Sequence, residues 1–258
     1  MIDSLFISAT GMHAQQKQID SISNNLANLN TNSYKKTKVS FESLVSRHQE
    51  IKHSRYFQPQ EVSSGVGVSA DKQSVDFSAG EMIQTGRPLD VAISGQGFFE
   101  VQLPDGSYAY TRNGHFEVNQ DGILVTADGA MLNPGIEIPF DSTDVVIGED
   151  GSVQVKYSNA QDFVQVGSLE IARFGNESSL VPVGGSMYIK SEGSGDPVFS
   201  SPSELGNGTI KQGYLESSNV EMVDEVANLM VAQRAYQANS RVLQISDQIL
   251  EMINNLGS

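Results

Sequence analysis

Four histidines, His13, His48, His53 and His115, are the first residues to weigh for acid–base or metal chemistry. They show no metal-binding spacing and no carboxylate four residues on, so they read as surface or packing residues. Cysteine is absent, which removes disulfide frameworks, thiolate zinc sites, iron–sulfur clusters and thiol nucleophiles together. No G-x-S-x-G marks a nucleophile elbow. Gly95-Gln96-Gly97 and Gly65-Val66-Gly67 each hold two glycines and neither opens a predicted helix, so neither reads as a phosphate loop. Asp141, Asp144, Glu149 and Asp150 are the candidates for a catalytic carboxylate pair, but their spacing around turns in an acidic chain reads as solvated loop. Asp121-Gly122 lacks the ligand spacing of a calcium loop. The expectation is a protein without catalytic, cofactor-binding or metal-binding residues.

The class limits agree. The chain has 258 residues, 38% of them hydrophobic and only 7% aromatic, with no Trp, so a core must be mainly aliphatic. The net charge of −15 repels phosphate backbones and argues against nucleic acid. The charge is uneven: residues 1–60 hold seven basic and four acidic side chains, residues 61–258 nine and twenty-seven. No stretch approaches the roughly 20 apolar residues of a transmembrane helix. Met1–Thr10 carries an acid and no base, unlike a cleaved signal peptide. No membrane insertion is expected.

The helix breakers divide the chain. All 8 Pro and all Gly except Gly11 and Gly257 lie between Pro59 and Gly213, so two helical ends flank a turn-rich middle. Leu5, Met12, Ile19 and Leu26 recur at heptad spacing, with Ile22 and Leu29 at the complementary position. Met222, Leu229, Tyr236, Leu243 and Leu250 repeat the beat in the C-terminal run, and a second line, Val242, Ile245, Ile249, Met252 and Leu256, thickens it. Ser218-Asn219-Val220-Glu221 has the form of a capping box. A narrow stripe of period seven suits a supercoiled seam better than the flank of a globular core. These leucines, isoleucines, methionines and Tyr236 are therefore the candidate assembly interface. In the middle, Asp105-Gly106, Asn113-Gly114, Asp121-Gly122, Asp128-Gly129 and Asp150-Gly151 read as tight hairpin turns between short β-rich runs. The predicted class is α+β. An N-terminal helix (1–32) and a C-terminal helix (217–258) pair as one coiled-coil-like domain. A connector (33–75) and an antiparallel β-rich domain (76–216) lie between, with a short helix over Tyr34–Val45.

Four separated motifs then carry a resemblance. Ser23-Asn24-Asn25-Leu26-Ala27-Asn28-Leu29-Asn30-Thr31-Asn32-Ser33-Tyr34-Lys35 resembles the N-terminal signature of the flagellar rod and hook family. Gln233-Arg234-Ala235-Tyr236-Gln237-Ala238-Asn239-Ser240 resembles its C-terminal signature. Asp90–Phe99, Tyr110–Gly114 and the approach Gly213–Val220 are also similar to that family. The resemblance implies a structural subunit of the distal rod that polymerises helically into a hollow drive shaft crossing the periplasm, exported through the flagellar apparatus without signal cleavage. It implies copies of itself, proximal rod proteins, the hook protein, the rod cap and the P- and L-ring bushing proteins as partners. A proximal rod or hook subunit is the alternative within the family, and a β-rich cell-wall hydrolase the alternative outside it. The family has Gly where this chain has Ser33, so the turn after the first helix is expected to differ. Ser46–Gly65 is read as a rod-specific insertion wedged between subunits.

Helices without packing partners are marginal in water. Limited proteolysis of dilute monomer is therefore expected to trim both ends and leave a core of about residues 75–215; survival of both ends would contradict the assembly reading.

Overall fold

The computed structural model describes residues 2–46, 64–158, 162–204 and 206–256. The proposed insertion, residues 46–65, falls almost wholly outside the described residues. Within them the chain forms two compact units and passes between them four times: residues 1–27, 37–74 and 221–258 make one, residues 28–36 and 75–220 the other.

The helical unit contains α1 (Ile2–Ala27), the paired strands β1 (Thr37–Ser46) and β2 (Ser64–Val75), and α2 (Met222–Leu256). At 1.5 Å per residue α1 is roughly 39 Å long and α2 roughly 52 Å. The helix expected over Tyr34–Val45 is instead β1. Thr37, Val39 and Phe41 alternate with polar residues, a period of two that outweighs the absence of Gly and Pro. The Ser218 box does not cap α2 either. Its hydroxyl accepts the amide of Val220 at 3.3 Å, a serine turn that leads the chain into the helix.

α1 and α2 pack against each other. Gly11 of α1 faces the Asn239 side chain of α2, where an added Cβ would meet Nδ2 at 2.8 Å. Further along, Asn25 Nδ2 donates to Glu225 Oε2 at 3.4 Å. Between the two contacts α1 advances fourteen residues and α2 retreats fourteen, so the pair is antiparallel with a constant register over about four turns.

The second unit is a set of antiparallel sheets. In chain order its strands are β3 (Met82–Gln84), β4 (Val91–Ser94), β5 (Phe99–Gln102), β6 (Tyr108–Thr111), β7 (Phe116–Val118), β8 (Leu124–Thr126), β9 (Met131–Asn133), β10 (Ser142–Ile147), β11 (Ser152–Tyr157), β12 (Phe163–Ser168), β13 (Ile171–Arg173), β14 (Val181–Gly184), β15 (Met187–Ile189), β16 (Val198–Ser200), β17 (Thr209–Gln212) and β18 (Tyr214–Glu216). Seven of them form one sheet in the order β14-β15-β6-β5-β9-β8-β7; β10-β11-β12 form a meander; β17 pairs with β4 and β18 with β3.

Successive residues of a strand point to opposite faces, and β5 with the residue before it uses this to seed two cores. Phe99 and Val101 join Val91, Ile93, Phe116, Leu132, Val153 and Ile171 in the aliphatic core. Phe98 turns the other way, into an aromatic cluster with Phe77, Tyr110, Phe174 and Tyr188 whose rings meet edge to face at 4.7–6.4 Å. The four Asp-Gly turns place their glycines at φ +82 to +86, as tight turns demand. Asn113-Gly114 is different. Gly114 accepts the amide of Val91 at 3.0 Å, and a Cβ there would lie 1.7 Å from the Val91 carbonyl oxygen. That glycine serves close backbone approach.

Replacing Gly11 by Leu displaces the Asn239 side chain and overpacks the contact between the helices. Overpacking of this kind costs about 1–3 kcal/mol. The expected outcome is loss of helical circular dichroism at lower urea, with the β-rich unit unfolding at its unchanged midpoint.

Candidate functional site

Most of the described residues buried on the two helices are small or polar. On α1 the buried residues are Ser8, Gly11, Ala14, Ser21, Ile22 and Asn25; on α2 they are Glu225, Ala232 and Ser246. Of the predicted heptad residues only Ile22 is buried. Leu5, Met12, Ile19 and Leu26 of α1, Leu29 beyond its end, and Leu229, Leu243 and Leu250 of α2 are half-buried, Tyr236 is 38% exposed and Met222 54%. The line Val242, Ile245, Ile249 and Met252 does not thicken the seam. These residues stand exposed, roughly 40° to 120° round α2 from buried Ser246 at about 100° per residue. Val223, Val226 and Met230 are exposed on the first half of the same helix, and Phe6 and Ile7 on α1. The large apolar side chains exposed on α2 lie on a helix that is also packed against α1.

The motif residues divide by role. Asn25 binds both backbone groups of Thr37: its Oδ1 accepts the Thr37 amide at 2.9 Å and its Nδ2 donates to the Thr37 carbonyl at 3.0 Å, a carbonyl that Ser21 Oγ also reaches at 3.0 Å. It fixes the root of β1 on α1. Asn24, Ala27, Gln233 and Arg234 are exposed, whereas Asn28 and Ala235 are half-buried.

In the β-rich unit the motifs converge on a cluster of charges that reading along the chain missed. Lys35, Arg112 and Glu216 are 1%, 3% and 2% exposed. Lys35 Nζ donates to Glu216 Oε1 at 2.6 Å and to the Ser78 carbonyl at 2.7 Å. Arg112 Nε donates to Glu216 Oε2 at 3.0 Å, and its two terminal nitrogens to the carbonyls of Gly97 and Gly95 at 2.7 and 2.6 Å. The Gly80 amide adds a third donor to Glu216 at 2.8 Å. Gly95-Gln96-Gly97 is thus the reverse of a phosphate loop: its carbonyls, not its amides, face the charge.

Ser33 sits against this cluster, fully buried, at φ 57. The turn after the first helix thus takes the left-handed conformation that glycine favours. The left-handed conformation costs a non-glycine residue about 1–2 kcal/mol. The Ser33 hydroxyl offsets part of that by donating to the Arg112 carbonyl at 2.9 Å, while its amide donates to the Glu216 carbonyl at 2.8 Å.

His115 has a carboxylate companion after all. Its Nδ1 lies 2.8 Å from Oδ1 of buried Asp90, twenty-five residues away, a partner that local spacing could not reveal. Asp144 and Asp150 accept nearby backbone amides and so shape their own turns. Among the described residues no group of three His, Asp or Glu side chains could hold a metal ion.

Comparison with known proteins matches three stretches. Residues 5–35 fit the flagella basal body rod protein family, residues 92–155 the D1 domain of the flagellar hook protein FlgE/F/G family, and residues 211–256 the C-terminal region of flagellar basal body rod FlgEFG proteins. The chain is 40% identical to the flagellar basal-body rod protein FlgG of Agrobacterium fabrum, over 97% of this chain and 98% of that one. It is 37% identical to the FlgG of Borreliella burgdorferi, over 99% of each, and 30% identical to the rod protein FlgF of Caulobacter vibrioides, over 94% and 93%. Three matched regions in rod order place the chain among structural proteins of the flagellar basal body. It belongs to the FlgG family of rod proteins.

The cluster has a pH signature. Burial pushes the Glu216 carboxyl up, but the Arg112 and Lys35 cations outweigh it and hold the carboxyl below its ordinary 4.5. A depressed carboxyl contributes stability that is present above its unfolded value and lost as pH falls through the folded one. Glu177, raised by burial, works in the opposite direction. The β-rich unit is expected to lose stability as pH falls below 4.5, whereas Glu177, raised above 4.5, adds stability as pH falls towards 4.5, a gain that Glu177→Gln removes. Urea midpoints measured across that range check both statements.

Proposed function

We propose that this protein is a structural subunit of the flagellar distal rod, and that α1 and α2 build the wall of the shaft through their outward apolar faces. The observation that carries this reading is the exposed set Val223, Val226, Met230, Val242, Ile245, Ile249 and Met252 on a helix whose other face is already occupied by α1. A contact that copies repeat by a screw operation does not close and generates a tube. The half-buried heptad residues Leu5, Met12, Ile19, Leu26, Leu29, Leu229, Leu243 and Leu250, together with buried Ile22 and exposed Met222 and Tyr236, frame these faces and set the shape a neighbouring copy meets.

The subunit works as a drive shaft, without turnover. Its neighbours are further copies, proximal rod proteins, the hook protein, the rod cap and the P- and L-ring bushings, and it reaches its place across the periplasm through the export apparatus without cleavage. The acids weighed for a cell-wall hydrolase offer no competing observation, since Asp144 and Asp150 engage adjacent backbone.

Ile19→Asp or Leu243→Asp would disturb the helix pair as well as any neighbour, because both side chains are half-buried within one subunit. Val226→Asp and Ile249→Asp, at exposed positions, separate the two effects. Each variant is expected to keep the monomer's circular dichroism and lower rod assembly at least about tenfold, since a desolvated unpaired charge costs several kcal/mol. Swarming in a flagellated host and imaging of basal bodies read the result. Normal motility and rod length in both variants would refute the proposal.

A further inference from the structure

Segment 28–36 follows α1 directly, yet it belongs to the β-rich unit, from which residues 37–74 separate it along the chain. Its attachment is specific. Ser33 and Lys35 reach the buried charges, the Lys36 amide donates to Asn219 Oδ1 at 2.7 Å, and Asp76 donates its amide to the Lys36 carbonyl at 2.9 Å. Asn219 in turn donates to the Asp76 and Ser78 carbonyls at 2.8 and 3.1 Å. The strap is thereby held by residues from both extremities of the unit's main segment.

The charge balance of the cluster is uneven. Two buried cations share one hydrogen-bonded carboxylate, and that carboxylate lies on β18, the last strand of the unit. Asp76 and Glu177 also act on the cluster through space, but Glu216 alone is bonded to both cations. With β18 undocked, Lys35 and Arg112 would be buried as like charges, which is strongly unfavourable. With the strap undocked, Arg112 and Glu216 remain a neutral pair. The two absences are therefore unequal in energy.

We propose that the Lys35–Glu216–Arg112 cluster is a completion lock. The β-rich unit closes only when the strap and β18 are both in place, so a chain that has not yet supplied residue 216 cannot close it around residue 35. The lock acts within one chain, whatever that chain assembles into. It gives the β-rich unit an all-or-none dependence on two segments 181 residues apart, where its sheets alone would let strands dock in succession.

The test uses the full chain carrying Glu216→Gln, Lys35→Met or both, followed by urea unfolding and amide hydrogen exchange. Glu216→Gln leaves two unpaired cations and is expected to lower the folding equilibrium constant of the β-rich unit at least about a hundredfold. Lys35→Met leaves a neutral pair and is expected to lower it less than about tenfold. The double variant, relieved of one cation, is expected to recover at least about tenfold over Glu216→Gln, and this comparison still reads if the single variant is unfolded. In the unaltered chain, the amides of Ser33 and Lys36 are expected to share the exchange free energy and urea dependence of Phe98 and Ala172. A double variant no more stable than Glu216→Gln would overturn the lock, as would strap amides that exchange independently of Phe98 and Ala172.

Discussion

The rest of the structure depends on how little two long helices bury against each other. They meet at Gly11 against Asn239 and at Asn25 against Glu225, and apart from Ile22 the other described residues buried on them are small or polar. Small side chains let the backbones approach, but they remove little apolar surface from water. At about 25 cal/mol per Å², the larger return lies with Leu, Ile, Met and Val, and on these helices all the described ones but Ile22 are half-buried or exposed. Heptad spacing is thus satisfied only in part by the intramolecular pair. Polar atoms in the seam give register instead: Asn25 ties the pair to β1 as well as to Glu225, and buried polar contacts of this kind specify alignment at a cost in stability.

The β-rich unit follows the opposite logic. Its aliphatic core and its aromatic cluster are both closed within the chain, and Phe98 and Phe99 feed one each by strand alternation alone. It can hold a fixed shape before any neighbour arrives. The helical unit differs in that several of its large apolar side chains are exposed. The net charge of −15 adds repulsion between free copies, which close apolar contact must overcome.

Much of this was legible in the sequence. The distribution of Gly and Pro separated the helical ends from the β-rich middle, and the Asp-Gly turns marked four of its hairpins. The heptads located the apolar stripes, although they could not say which stripe faces α1, because the innermost positions are Ser, Gly, Ala and Asn and carry no hydrophobic signal. The misread strand β1 shows the limit of arguing from absent helix breakers: alternation at Thr37, Val39 and Phe41 was the stronger signal. The charge cluster was hidden for a different reason. Lys35, Arg112 and Glu216 are 77 and 104 residues apart, and no periodicity spans that distance.

One trace of the cluster was nevertheless present. Each of its three charges lies one or two residues after a tyrosine inside a family motif: Tyr34-Lys35, Tyr110-Thr111-Arg112 and Tyr214-Leu215-Glu216. Read separately they suggest three surface charges at strand ends. Read together they are one anion and two cations in stretches that otherwise pack, and a charge in a packing stretch needs a partner of opposite sign. Sign alone does not single out Glu216, because Asp90 is an acid in a family motif too and is also buried. The same reasoning explains why Gly95 and Gly97 accompany Arg112: a buried guanidinium with one carboxylate still has donors to satisfy, and backbone carbonyls exposed by small residues supply the remaining acceptors without adding charge.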